Sequence, residues 1–485
     1  MFKKTALILA TVLIFTYAVV LGGCKKDENN RTTYEIDVSL SENHLVGSQT
    51  VNYYNDTDTT VKELKFNLFG NAFRKGAKYS PISPAHLSLS YPNGINYGGM
   101  AVQDVNSNGQ SLEFEISGED ANILTVNLGE EIFPEERVVV SIDFTLDLAN
   151  VVARTGINAH TINLANFYPI LCARNELGFY ECVYYSNGDP FYSDCADYTV
   201  KITLDKNFVV ASSGKLCSNV EKGELTTKTY KIDNARSFAF VCSKSFKSIT
   251  KTVDEVEITY YYYDELTPDK SLEYAVKSID FFSERFGKYC YDHFSVVQTE
   301  FVQGGMEFPA LVMISDDLED KAYGEVIVHE TAHQWWQTAV GNNEIEYGFL
   351  DEGLTEYSVV LFYENNPEYG MTREYMVKSA QDTYKVFCSV SDKVFGKVNT
   401  VMMRSLKDFN GEYEYVNIAY IKPCIMYDCL RESIGDAKFF KGLQKYYKEF
   451  KFKNATPYDL VGIYEKTGAD SNGFFESFFD GKVIL

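Results

Sequence analysis

Apolar and polar residues alternate with a period of two through much of the first half of the chain. Tyr34, Ile36, Val38 and Leu40 fall on one side, with Glu35, Asp37 and Ser39 on the other, the pattern of a half-buried β-strand. It recurs at Leu124-Val126-Leu128, at Val138-Val140-Ile142-Phe144 and at Tyr198-Val200-Ile202-Leu204, with clusters of Asn, Asp, Gly and Pro between. Residues 34–246 therefore read as an all-β domain, sheet on sheet. Near 255 the period changes. Ile258–Tyr263 is strand-like, and Thr267-Pro268 then supplies a helix cap followed by proline at the first position. Leu272, Val276, Ile279, Phe282 and Phe286 form the apolar stripe of that helix, and Gly287 closes it. Short strands are expected at 294–299 and 310–314, and mainly helix after that. Residues 247–485 thus read as an α+β second domain that becomes mainly helical towards the C-terminus.

One apolar run has no period at all. Thr5 to Val20 is almost continuously apolar, Lys3 and Lys4 precede it, and Leu21-Gly22-Gly23-Cys24 ends it. The stretch resembles a bacterial lipoprotein signal, which implies cleavage after residue 23 and a lipid on Cys24. An uncleaved membrane anchor is the other reading. Either places the bulk of the chain outside the cytoplasm, tethered to a bacterial membrane, with polar residues 24–33 as the tether.

Composition narrows the function classes. The content is 45% hydrophobic and 23% charged over 485 residues, which is that of a globular chain of several domains. Lys and Arg number 45 against 68 Asp and Glu, a net charge of −23 that disfavours nucleic acid as a partner. Ten Cys are present, and lipidation of Cys24 would leave an odd, irregularly spaced set that does not read as a disulfide framework. Free thiols are expected for most, with a pair such as Cys172 and Cys182 left open.

The densest chemistry lies in residues 325–357. They contain His329-Glu330-Thr331-Ala332-His333 and, further on, Glu352, in a chain with six His. Residues four apart share a helix face, so His329 and His333 can offer two imidazole nitrogens to one zinc ion while Glu330 reaches a water beside it. The spacing to Glu352 leaves room for a turn and a second helix that returns a carboxylate as third ligand. Two His and one Glu leave a fourth position open, which suits catalysis and not a purely structural ion. Val326, Ile327 and Val328 before the pair, and Trp335 and Trp336 after it, read as a buried helix.

With these residues in place the chain resembles the aminopeptidase N family of zinc metallopeptidases, in its short form without a large C-terminal helical domain. Three blocks carry the likeness. Gly304-Gly305-Met306-Glu307-Phe308 resembles the family's G-x-M-E-N motif, His329 to Glu352 has its zinc spacing, and Tyr420-Ile421-Lys422-Pro423 resembles its Y-x-K-G motif. The resemblance implies a thermolysin-like catalytic domain holding one zinc ion and peptide substrates cut at the N-terminal residue. It further implies Glu330 as general base and Tyr420 as oxyanion donor, with Tyr415 as the rival for that role. Glu307 would bind the substrate α-amine, with Gly304, Gly305 and Met306 beside the substrate. Glu356 is read either as a support for a ligating His or as an exposed residue. Phe308, Phe349 and Pro423 depart from the family pattern, and no second amine anchor is assigned. An endopeptidase, or a non-catalytic peptide-binding lipoprotein, is therefore an alternative.

Overall fold

The computed structural model describes residues 30–175, 177–467 and 473–482. The signal stretch, Cys24 and most of the polar tether lie outside these residues. From Arg31 onward the chain packs as one compact unit, with an apolar core continuous from the N-terminal strands to the C-terminal helices. Among the described residues no helix is long and apolar enough to cross a membrane.

The alternating segments form strands as expected. Thr33–Ser41 buries Tyr34, Ile36, Val38 and Leu40 and exposes the acids and serines between them. It pairs in parallel with Ala196–Asp205 and antiparallel with His44–Tyr54. These three lie in the middle of an eight-stranded sheet that runs from Lys215–Lys222 at one edge to Gln110–Ser111 at the other. Two four-stranded sheets accompany it. One is built around Val61–Asn67 and Ile123–Ile132, the other around Ile162–Leu164 and Phe240–Ser243. Thr33 already belongs to the first strand.

In the second half a five-stranded mixed sheet carries the strands that position the chemistry. Its order is Lys247–Val253, Val256–Tyr262, His293–Thr299, Leu311–Ser315 and, at the edge, Gly305–Phe308. The helix opened by Thr267-Pro268 spans Pro268–Phe286 and ends at Gly287, whose N–H reaches the Ser283 carbonyl. Arg236 stitches the two halves together: Nε donates to the carbonyl of Gln337 at 2.8 Å and NH2 to that of Lys453 at 2.6 Å.

One expectation is corrected here. The helix with the paired His covers Asp320–Ala332 and stops there, so Trp335 and Trp336 are not on it. The chain reverses after His333 because the imidazole Nδ1 ties back to the Trp336 carbonyl at 3.0 Å. Both indoles are nonetheless fully buried, each donating inward, Trp335 to the Gly287 carbonyl and Trp336 to Ser358 Oγ. Cys172 and Cys182 are separate buried thiols, as are the other described cysteines free thiols, so no pair forms.

Candidate metal centre and cleft

His329 and His333 stand one turn apart at the C-terminal end of Asp320–Ala332, and Glu352 lies in the first turn of Phe349–Asn365. These elements meet so that three ligand atoms form a triangle. His329 Nε2 to His333 Nε2 is 3.2 Å, His333 Nε2 to Glu352 Oε2 is 3.1 Å, and His329 Nε2 to Glu352 Oε2 is 3.4 Å. Ligands about 2.05 Å from a zinc ion at the tetrahedral angle lie about 3.3 Å apart, so the donor set fits that ion in size as well as in chemistry. Each imidazole is held through its other nitrogen. His329 Nδ1 lies 3.2 Å from Glu356 Oε2 and His333 Nδ1 faces the Trp336 carbonyl, which leaves both Nε2 lone pairs pointing to the centre. Glu356 is thereby placed beside a ligating ring and is not simply exposed.

The electrostatics of the pocket call for a cation. Burial opposes charge on the His329 ring, yet Glu352 and Glu356 outweigh it and push the ring up to about 10. Burial would raise Glu352, but the two imidazoles hold it at about 2. Glu330, 5% exposed, is pushed up to about 7 by burial against the pull of His329 and His333. A divalent ion at the triangle supplies the same positive charge that protonated imidazoles otherwise provide.

Gly305 makes room for Glu330, because a Cβ there would stand 2.2 Å from Glu330 Oε1. Glycine at this position therefore admits the carboxylate as well as a peptide backbone along the edge strand. In the pleat of Gly305–Phe308, Gly305 and Glu307 line the cleft while Met306 and Phe308 turn into an apolar cluster. The side chain of Met306, 2% exposed, does not reach the cleft, which corrects its assignment beside the substrate. Gly304 precedes the strand with φ +93°, a conformation glycine permits without strain.

Tyr420 lies in a π-helical turn, Val416–Ile421, that leads into the helix Lys422–Ile434. Pro423 has no N–H to give to the preceding turn and its ring would press on a carbonyl there, which gives a reason for the local widening. The Tyr420 hydroxyl donates to Glu352 Oε1 at 2.6 Å, and its ring stacks on that of His329 with centroids 5.9 Å apart. Tyr415 also lines the cleft, edge-on to Tyr420, but its hydroxyl is close against Gly348.

These residues line one cavity of about 340 Å³, which also includes Arg154 and Asp189 from the sheet-rich half. Arg154 NH1 holds Asp189 Oδ1 at 2.6 Å. Asp189 was not found from the sequence because Ser186-Asn187-Gly188-Asp189 looks like any polar turn. Glu344 was missed as well: read as a loop residue, it starts the one-turn helix Glu344–Tyr347 and is 3% exposed. Burial raises Glu307 well above the usual carboxylate range; His333 opposes this, and the charges of Asp189, Glu330 and Glu352 add to it.

Comparison with known proteins agrees with this geometry. Residues 270–478 match the peptidase family M1 domain. Aminopeptidase B of Rattus norvegicus is 26% identical over 214 residues, covering 39% of this chain and 31% of the relative. Aminopeptidase 2 of Candida albicans is 23% identical over 412 residues, covering 74% of this chain and 44% of the relative. The matched part spans less than half the length of these curated relatives. Among solved structures, the M1 zinc metallopeptidase of Deinococcus radiodurans has the same fold, with a TM-score of 0.66 at 18% identity over 94% of this chain and 95% of its own. A mutant of that protein, bound to a Tyr-Ser-Ala substrate, superposes equally well. Residues 270–478 are thus similar to the peptidase family M1 domain, and the fold of the chain is that of the M1 zinc metallopeptidase of Deinococcus radiodurans.

Proposed function

We propose that the protein is a zinc-dependent aminopeptidase that removes N-terminal residues from peptides. The observation that carries this reading is the convergence, in one cleft, of the His329-His333-Glu352 triangle with Glu330, Glu307 and Tyr420. His329, His333 and Glu352 hold the ion. Bound zinc supplies Lewis acidity, which polarises the scissile carbonyl and makes the attacking water easier to deprotonate. Glu330 takes the proton of that water and delivers it to the leaving amine. Tyr420 turns its hydroxyl from Glu352 to the carbonyl oxygen as negative charge develops there.

Glu307 pairs with the free α-ammonium of the substrate. Asp189 joins it from the sheet-rich half, since Arg154 occupies only one of its carboxylate oxygens. Placing the ammonium against these two acids sets the first peptide bond, and no later one, over the ion site. Among the described residues the edge strand Gly305–Phe308 pairs with Leu311–Ser315 alone, and its other edge can take an extended peptide as an added strand.

A peptide compared with its N-acetylated twin, each with and without chelator, tests this reading. Only the free-amine peptide should be cut, and only without chelator. Equal turnover of the twin would turn the reading to an endopeptidase.

The extracytoplasmic, lipid-anchored location rests on the pattern of residues 3–24 alone, with peptides outside the cytoplasm as the substrates. Cys24→Ala should release the chain from membranes. Retention as firm as wild type would favour an uncleaved apolar anchor.

A further inference from the structure

Glu307 forms a wall between the cleft and a second cavity of about 20 Å³, which Glu344 also lines. One carboxylate oxygen from each of Glu307, Glu344 and Asp351 lies within 4.8 Å of the others. The three residues are 4%, 3% and 2% exposed. Glu307 Oε1, Glu344 Oε1 and Asp351 Oδ2 accept no hydrogen bond from the protein. Asp351 Oδ1 takes one from Asn342 Nδ2 at 3.1 Å.

Asn166 adds an independent pointer. It comes from the sheet-rich half, is 5% exposed and lines the same small cavity, and its side-chain nitrogen also has no partner. The two ends of an amide are interchangeable by rotation, so its carbonyl oxygen can face the carboxylates. Arg236, which lines the cavity too, is no counter-ion for the cluster. Its guanidinium is spent on the carbonyls of Gln337, Thr338, Ser193 and Lys453.

Three desolvated carboxylates with free lone pairs are strongly unfavourable unless protons or a cation neutralise them, and a cation alone can use the unpaired oxygens of all three at once. A space of about 20 Å³ admits one small sphere and no organic group. The oxygens lie within 4.8 Å of one another, so a closure of under about 1 Å lets all three reach a single ion at about 2.4 Å, and an all-oxygen donor set selects hard cations over zinc. We propose that Glu307, Glu344 and Asp351, with Asn166, bind a hard divalent cation of the calcium and magnesium class, distinct from the zinc site. The ion grips Glu307 from behind and fixes the carboxylate that faces the cleft. The ion site stands without the aminopeptidase reading, whereas its effect on amine binding rests on that reading.

The test uses the full chain, zinc-loaded, equilibrated with calcium chloride or magnesium chloride, freed of excess salt and analysed for metals. One zinc plus one calcium or magnesium per chain is expected, and Glu344→Gln should keep the zinc and lose the second ion. Zinc alone in the wild type after both salts would overturn the proposal and leave the zinc reading intact. A chain without zinc would instead count against the triad. If Glu344→Gln fails to fold, the Tm of the zinc-loaded wild type decides. A rise with either salt, absent with sodium chloride at equal ionic strength, supports the site, and no rise overturns it.

Discussion

Along Thr33–Ser41 the buried residues are Tyr34, Ile36, Val38 and Leu40, and the charged ones between them face solvent. In the first turn of Phe349–Asn365 the buried residues include Asp351 and Glu352, and in the edge strand Gly305–Phe308 they include Glu307. The large sheet spends its burial on apolar area and is stabilised by it. The cleft spends burial on charge, which costs stability and is tolerable only where opposite charge or a metal answers it. The comparison separates residues whose loss should unfold the chain from residues whose loss should leave it folded and inert.

Five substitutions test that division. Glu330→Gln should lower kcat by roughly 10²–10⁴-fold, the range for loss of a general base, while the protein stays folded and binds zinc. Wild-type kcat/KM should fall as pH drops through the pKa of Glu330, because the base works only when deprotonated. That pKa is pushed up to about 7 by burial against the pull of the imidazoles, with Glu352 and Asp189 adding to the rise, and is lower once the ion adds its charge. A pH profile of Glu330→Gln that kept the acidic limb would assign it to another group. Tyr420→Phe should cost about 10²–10³-fold in kcat, as for loss of one oxyanion donor. Tyr415→Phe run in parallel would exchange the two roles if it alone showed that loss. Glu356→Gln should weaken zinc binding by about 10–100-fold, as removal of a ligand's supporting partner does, read by competition with a coloured chelator. Leu45→Ala, at a fully buried sheet position, should destabilise the fold by about 2–5 kcal/mol and leave kcat/KM per folded molecule unchanged. A large loss of kcat/KM from that change would break the comparison.

The same division explains what could be read from the sequence. Period-two alternation located Thr33–Ser41, Arg137–Asp147 and Ala196–Asp205, because in a half-buried sheet polarity and orientation are the same signal. The cap and stripe at 267–287 located the helix Pro268–Phe286 for the corresponding reason. His329, His333 and Glu352 were legible because metal chemistry imposes a spacing. Glu344, Asp351 and Asp189 were not, since a buried acid without a motif looks like a solvated one. The end of the metal helix at Ala332 was also hidden. It depends on His333 reaching back to the Trp336 carbonyl, a contact that no periodicity encodes. Met306 was misjudged for the opposite reason: a motif named it, while the pleat of the strand decided which way it points.

The π-helical turn at Val416–Ile421 has a consequence for engineering. Tyr415 and Tyr420 are five residues apart, the hydrogen-bond span of that turn, and their rings meet edge-on on one side of it. Each residue of an α-helix turns the chain by about 100°. Deleting one residue there, and relaxing the turn to α, would leave the helix Lys422–Ile434 in place and set the two tyrosines four apart, still on one face. The extra residue of the wide turn is thus one a designer can remove while keeping both phenols on one side of the helix.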